Sequence, residues 1–357
     1  MKTRLGVIGA GYISRFHFKA YQKMGADVRI VADTNAAAAR AAAAPFNAAT
    51  VNDWQDVVNS PDVDAVTILV PSALHAPIAR AALEAGKHVV SEKTLALSAG
   101  DSLALARLAE ERNLLLFTSY MKRFFPAVQK AKSLMPRLGH VTSVYCRTYQ
   151  GVSGANLHTG ATIGAPWGRG ADGVSSIMKL SGGGILVCGG SHIFDLLLFL
   201  VGKPQRVYAR QFHRPESDVD IMTHALFDFE DGGIGHFEGN WHPLNRVGCQ
   251  RDGWDEGFEI SGVGGRLVLK TPVWNEPERH PPLLRFHDAA DGSWTDYSTD
   301  IVCPFEMAER HFQGQIAKGE QGDFDRYVGY RVDQLLETTQ QSATQGQPLD
   351  IPWADCK

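Results

Sequence analysis

The sequence predicts an α/β protein of two domains, a doubly wound parallel half followed by an α+β half of mostly antiparallel strands. Three observations carry this. Up to residue 122, short β-branched runs alternate with longer helical patterns. A glycine cluster, Gly9-Ala10-Gly11-Tyr12-Ile13, follows the first run and opens a helical pattern. Beyond residue 139, successive strand-like runs are joined by Gly-rich turns.

In the first half the strand runs are Arg4–Ile8, Val28–Ala32, Ala65–Val70, His88–Val90 and Leu114–Thr118. Helical patterns lie between them at Ala36–Ala44, at His75–Ala85 closed by Gly86, and at Asp101–Arg112. In the second half, residues 140–150, 205–212, 222–241, 257–271 and 283–288 read as strands. One apolar helix near Ser191–Val201 interrupts them, and an amphipathic pattern from Phe324 to about Gln345 closes the chain. The expected division is residues 1–122 for nucleotide binding and 123–357 for substrate binding and self-association, each long enough for its own core. Residues 152–184 are Gly/Ser-rich and long for an internal loop, so they read as a binding loop that carries Trp167 and Arg169.

Composition excludes several classes. Of the 357 residues, 44% are hydrophobic and 21% charged, ordinary values for a globular chain and not for a disordered or fibrous one. A net charge of -4 with interspersed signs gives no footprint for nucleic acid or an anionic membrane, which points to a small-molecule partner. The five cysteines, at 146, 188, 249, 303 and 356, are scattered and odd in number, which fits a reducing compartment and a cytoplasmic location. The apolar run around Leu196 is broken by His192 and Asp195 and is too short to span a bilayer. His236, Glu238 and His242 lie close in sequence, but no third clustered ligand completes a metal site, so no metal is expected.

The glycine cluster sits where a dinucleotide fingerprint requires it. Gly9 permits the tight turn, Gly11 lets backbone approach a pyrophosphate, and the following helix N-terminus faces its charge. Ser14 stands at the third small position. Asp33 ends the next strand and can accept from both ribose hydroxyls; Thr34 and Asn35 bring no cation for a 2′-phosphate, so NAD is favoured over NADP. An Asx-type turn at Asp33 is compatible with the same role.

Further motifs resemble a known family. Pro71-Ser72-Ala73-Leu74-His75, Ala85-Gly86-Lys87-His88-Val89, Glu92-Lys93-Thr94, Arg123-Phe124 with Pro126, Gly182-Gly183-Gly184, and His192 with Asp195 are similar to those of the Gfo/Idh/MocA oxidoreductases. The resemblance spans nearly the whole chain. It implies a Rossmann domain followed by a large, open, mostly antiparallel sheet whose outer face joins subunits into a homodimer or homotetramer. It implies that Lys93 contacts both the nicotinamide end and the reacting oxygen, that Glu92 lies near the nicotinamide ribose, and that Pro71 and His75 belong to the cofactor side. Thr94 replaces the family's proline, which leaves the conformation of the Lys93–Thr94 peptide open.

By the same resemblance His192 is the catalytic histidine and Asp195 the acid three residues on, together on one helix face. In a first turn, the helix dipole favours a neutral imidazole suited to act as a base. Cys188 stands where the family has an aspartate, either as pocket filler or as substrate contact; a thiol nucleophile has less support. Tyr120, Arg123, Trp167 and Arg169 are candidate pocket residues, with structural anchoring as the competing role. The implied activity is reversible, NAD-dependent oxidation of a secondary alcohol on a sugar, sugar derivative or cyclic polyol. The alternatives are glycoside cleavage by transient oxidation and a cofactor-sensing regulator without catalysis.

Overall fold

The computed structural model describes residues 2–151, 181–213, 219–242, 246–247, 251–252 and 254–356. Two compact units emerge. Residues 1–121 and 304–333 build the first, and residues 122–303 with 334–355 build the second. A single cut after residue 122 therefore leaves out the return of residues 304–333 to the first unit.

In the first unit, strands β1 (Arg4–Ile8), β2 (Asp27–Ala32), β3 (Ala49–Val51), β4 (Ala65–Ile68), β5 (His88–Ser91) and β6 (Leu116–Thr118) form one parallel sheet in the order β3-β2-β1-β4-β5-β6. This is the doubly wound order in which ligands meet the carboxyl ends of the strands. Apart from the exposed edge strand β3, its strands are largely buried: Val7, Val31, Val66, Ile68, Val89 and Val90 are essentially inaccessible, as parallel sheets covered on both faces demand. The connecting helices are α1 (Ser14–Met24), α2 (Ala36–Ala43), the short α3 (Trp54–Val58), α4 (His75–Glu84) and α5 (Ala99–Glu111). Caps explain their starts: Asn35 accepts from the amides of Ala37 and Ala38, Asp53 from Gln55, and Ser98 from Asp101. The structure adds β3 and α3, which are too short for a periodic signal.

The second unit begins with α6 (Pro126–Leu138), which has proline in its first turn, and β7 (Val141–Gly151). After α7 (Ser191–Leu200) come β8 (Arg206–His213), β9 (Asp220–Asp228) and β10 (Ile234–His242). A two-residue pair follows, β11 (Arg246–Val247) with β12 (Arg251–Asp252), and then β13 (Trp254–Gly262), β14 (Gly265–Lys270), β15 (Leu283–Asp288) and β16 (Trp294–Asp296). Two helices, α8 (Pro304–Lys318) and α9 (Val328–Gln345), precede β17 (Leu349–Asp350). Nine strands make one open sheet, β16-β15-β14-β13-β7-β10-β9-β8-β17, antiparallel except for the β7/β10 pair. Val144, Cys146 and Thr148 of β7 point inward and are buried, with α6 packed against β14 and β15 and α7 against β7.

Among the described residues no helix is long and apolar enough to cross a membrane. No group of three His, Cys, Asp or Glu side chains among them is placed to hold a metal.

Close packing at Gly184 makes a test of the second unit. Its amide donates to Asp220 Oδ1 at 2.8 Å, and a Cβ there would overlap the Asp220 backbone carbonyl. Gly184→Ala should destabilise by about 1–3 kcal/mol through forced overlap. Gly100 in α5 has open space around its missing Cβ, so Gly100→Ala should stabilise by about 0.4–1 kcal/mol. Chemical denaturation of both variants checks the pair, and equal effects would count against the packing described.

Candidate active site

The dinucleotide end grows out of β1. Gly9 has φ +104°, and a Cβ on it would lie 2.5 Å from the Leu69 carbonyl oxygen, so only glycine fits. Around Gly11 the space is open, with nothing within 4 Å of an added Cβ. Ile13 leads into α1 without a side-chain cap, so the helix presents amides that no side chain of its own engages. Ser14 ties the loop from below, its hydroxyl donating to the Gly11 carbonyl at 2.7 Å. Tyr12 packs its ring against Phe16 and under the Arg15 guanidinium.

Asp33 does two structural things at once. One carboxylate oxygen accepts from the Ala10 amide at 2.7 Å and the other from the Asn35 amide at 2.7 Å. Each oxygen keeps a lone pair for a ribose hydroxyl. The side chain is thus fixed before any ligand arrives, and Thr34 beside it is exposed. The open approach at Gly11, the uncapped α1 and the fixed acid are what a dinucleotide requires.

Pro71 is exposed, at the start of the turn that leads into α4. His75 is buried, Nδ1 lying 2.6 Å from the Thr94 carbonyl and Nε2 2.7 Å from that of Val70. Burial pulls its pKa down, and the two carbonyls only partly restore it. Its ring holds the turn after β4 to the turn after β5. Lys93 lies just past β5, half-buried, and the Lys93–Thr94 peptide is cis. Glu92 is 7% exposed; its carboxylate meets the buried His17 ring and accepts the Lys93 amide at 3.2 Å. Those two contacts fix the carboxylate, one on each oxygen.

Tyr120 is fully buried just beyond β6, a core position that offers no surface to a substrate. Trp167 and Arg169 lie outside the described residues.

In the second unit, Cys188 and His192 stand out by exposure. They are partly accessible, whereas residues 183–187, 189–191 and 193–197 are buried. A π-helical turn, Leu186–Gly190, runs straight into α7 and brings the two side chains to one stripe, four residues apart. This corrects the expected dipole effect. The helical path starts near Ile185, so the unpaired amides of its first turn precede Cys188 and not His192. Asp220 takes them up: Oδ1 accepts from Gly184 at 2.8 Å and Oδ2 from Leu186 at 2.9 Å and from the Thr223 hydroxyl at 2.7 Å. Gly189 allows the π-turn to lie on β7, since a Cβ there would come within 2.5 Å of Gln150 Nε2 and 2.7 Å of Thr148 Oγ1. Cys188 packs against a cluster of Ile185, Val219 and Trp241.

Asp195 does not share that stripe. It is fully buried, and the Arg123 guanidinium meets it with contacts of 2.7–2.9 Å. Burial raises its pKa to about 6 against the opposing pull of Arg123. Arg123 also lies over the Phe199 ring at 4.9 Å. Both residues therefore anchor α7 to the segment before α6. Beside them, Lys122 and Glu256 form a buried ion pair, and Glu256 also accepts from Thr148 at 2.8 Å.

Comparison with known proteins decides the family. Residues 3–120 match the model described as oxidoreductase family, NAD-binding Rossmann fold (GFO_IDH_MocA), and residues 137–268 match the GFO/IDH/MocA C-terminal domain. Inositol 2-dehydrogenase 3 of Saccharopolyspora erythraea is 34% identical over 364 residues, covering 99% of this chain and 97% of that protein. The chain belongs to the Gfo/Idh/MocA oxidoreductase family. Levoglucosan dehydrogenase of Pseudarthrobacter phenanthrenivorans is 29% identical over 306 residues, 74% of this chain and 73% of that one. A solved levoglucosan dehydrogenase in complex with NADH has the same fold, with a TM-score of 0.83 at 24% identity, covering 99% of this chain and 100% of that one. The Rossmann unit of this family member is accordingly NAD-binding.

Asp33 gives the cofactor test. NAD should bind more tightly than NADP by calorimetry. Asp33→Ala should weaken NAD by tenfold or more and narrow the gap, because hydrogen bonds to a charged group contribute about 1.5–3 kcal/mol. Equal affinities in the unaltered protein would mean that Asp33 serves the loop alone.

Proposed function

We propose that this oxidoreductase transfers a hydride between NAD and a secondary alcohol of a sugar, sugar derivative or cyclic polyol. The carrying observation is that Lys93 and His192 are both present in a chain that aligns end to end with an inositol 2-dehydrogenase. Bound NAD supplies the hydride acceptor or donor. Lys93, at the carboxyl end of β5, stabilises charge that develops on the reacting oxygen. His192, held at the accessible stripe of α7, takes the hydroxyl proton on oxidation and returns it on reduction.

Asp195 and Arg123 serve this chemistry through the placement of α7. Cys188 is read as part of the pocket wall, because its side chain packs on Ile185, Val219 and Trp241. The proposal also includes self-association of two or four copies through the outer face of the nine-stranded sheet. That face carries Tyr145, donating to Glu238 at 2.6 Å, the His224–His236 pair, and Leu226, which is 48% exposed. Light scattering at micromolar concentration should show at least a dimer, and a monomer would remove this part of the proposal.

Incubation with NAD and a panel of sugars, inositols and glycosides, following nicotinamide absorbance and products together, tests the activity. Net NADH with a ketone product is expected. Sugar release without net NADH would instead select redox-assisted glycoside cleavage. His192→Ala and Lys93→Met should each lower turnover by about 10²–10⁴-fold with NAD affinity little changed. Cys188→Ser should leave turnover nearly intact. An inactive Cys188→Ser that binds NAD, beside an active His192→Ala, would require a thiol mechanism.

A further inference from the structure

A buried charge cluster in the first unit takes no part in the roles assigned so far. His17 lies on the inner stripe of α1 with Ser14, Phe18 and Tyr21 and is 1% exposed. Its Nδ1 is 2.7 Å from Glu309 Oε1 of α8, and its Nε2 is 3.0 Å from Glu92 Oε1. Glu309 is fully buried, and its second oxygen accepts from Gln313 at 3.3 Å. The second oxygen of Glu92 accepts the Lys93 amide. Tyr21, bonded to Thr67 at 2.9 Å, and the edge of the Phe305 ring complete the surroundings of the imidazole.

Carboxylates only accept hydrogen bonds, so both ring nitrogens of His17 must donate for both contacts to hold. A neutral ring would satisfy one carboxylate and face the other with a lone pair. Two buried glutamates without a cation between them would be an uncompensated charge pair.

We infer that His17 is a positioning residue for Lys93: anchored on Glu309 through Nδ1, it holds Glu92 through Nε2, and Glu92 in turn fixes the backbone amide of the lysine. The helix that opens behind the glycine loop is thereby tied to the turn that presents Lys93. This inference rests on the role given to Lys93 above.

Electrostatics agree with the geometry. Burial disfavours a charged ring, but the hydrogen bonds to Glu309 and Glu92 outweigh it and raise the His17 pKa from 6.5 to about 9. Burial likewise pushes the Glu92 carboxyl up, and His17 with Lys93 brings it net below its ordinary value. Tyr21, buried beside Glu309 and Glu92, is held well above its usual range and stays neutral. Since the folded value of His17 is raised, its stabilisation is complete below pH 6.5 and is lost as pH rises through about 9. Glu92, lowered, contributes above its ordinary value, and that part is lost on acidification.

Three measurements on the full chain test the positioning role. In ¹⁵N-detected spectra of the imidazoles, the signal absent from His17→Asn should report a doubly protonated ring at pH 7.5 that titrates near 9. His17→Asn should bind NAD nearly as the unaltered protein does and leave the substrate KM little changed. Its kcat should fall by about tenfold to a hundredfold, the scale of a misplaced catalytic group. In a Lys93→Met background the same substitution should have almost no further effect, since it acts through the lysine. Should His17→Asn not fold, Glu309→Gln takes its place, with the ring titrating lower and kcat reduced in step. A neutral His17 at pH 7.5, an unchanged kcat in a folded variant, or full multiplication of the His17 and Lys93 effects would each overturn the inference. If Lys93→Met alone keeps its turnover, the lysine's role fails instead, and the ring titration still shows whether the clamp exists.

Discussion

The first unit depends on a charge buried where charge is expensive. An imidazole from α1 sits between a carboxylate at the end of β5 and one from α8, 292 residues away in sequence. None of the three could be buried singly without a large penalty, but together they satisfy each other's donors and acceptors. The arrangement explains why the chain returns to this unit after the whole of the second one. Glu309 has to be supplied from α8, which also stacks Phe305 on Phe16 and Phe312 on Phe117. The cluster thus ties α1 and α8 to the carboxyl end of β5, beside the turn that carries Lys93.

The second unit solves a different problem, that of holding a short, apolar helix so that two of its side chains stay accessible. Glycines at 184, 189 and 190 let the π-turn lie against β7, β9 and β10 at distances no side chain would permit. Asp220 absorbs the amides at its start, and the Arg123–Asp195 pair pins the next turn. With both ends fixed, His192 has little freedom to move away from the stripe it shares with Cys188. Preorganisation of this kind suits the role of base proposed for His192.

Relatives of this family are named for different substrates, among them inositol and levoglucosan, on a common fold. On the proposed reading, Cys188 is part of the pocket wall. A thiol there cannot carry the charge of the family's aspartate, and its packing on Ile185, Val219 and Trp241 gives it an apolar setting.

Much of this was legible in the residues themselves. Periodicity placed β1 at Arg4–Ile8 and bounded α2, α4, α5 and α7 to within a residue or two, because buried strands and amphipathic helices write their period directly into the chain. The glycine fingerprint and Asp33 are likewise local, each needing only its neighbours in sequence to be recognised, whereas Lys93 and His192 were singled out by resemblance to the family. The short β3 and α3 carried too few residues for a period. What the sequence could not express is pairing across long separations. That Asp195 is spent on Arg123, that Glu92 is held by His17, and that Glu309 completes the cluster all depend on which side chains folding brings together. Local sequence determines what each residue can do; the tertiary structure decided which of those capacities is used, because a buried charge takes its role from the partner it finds.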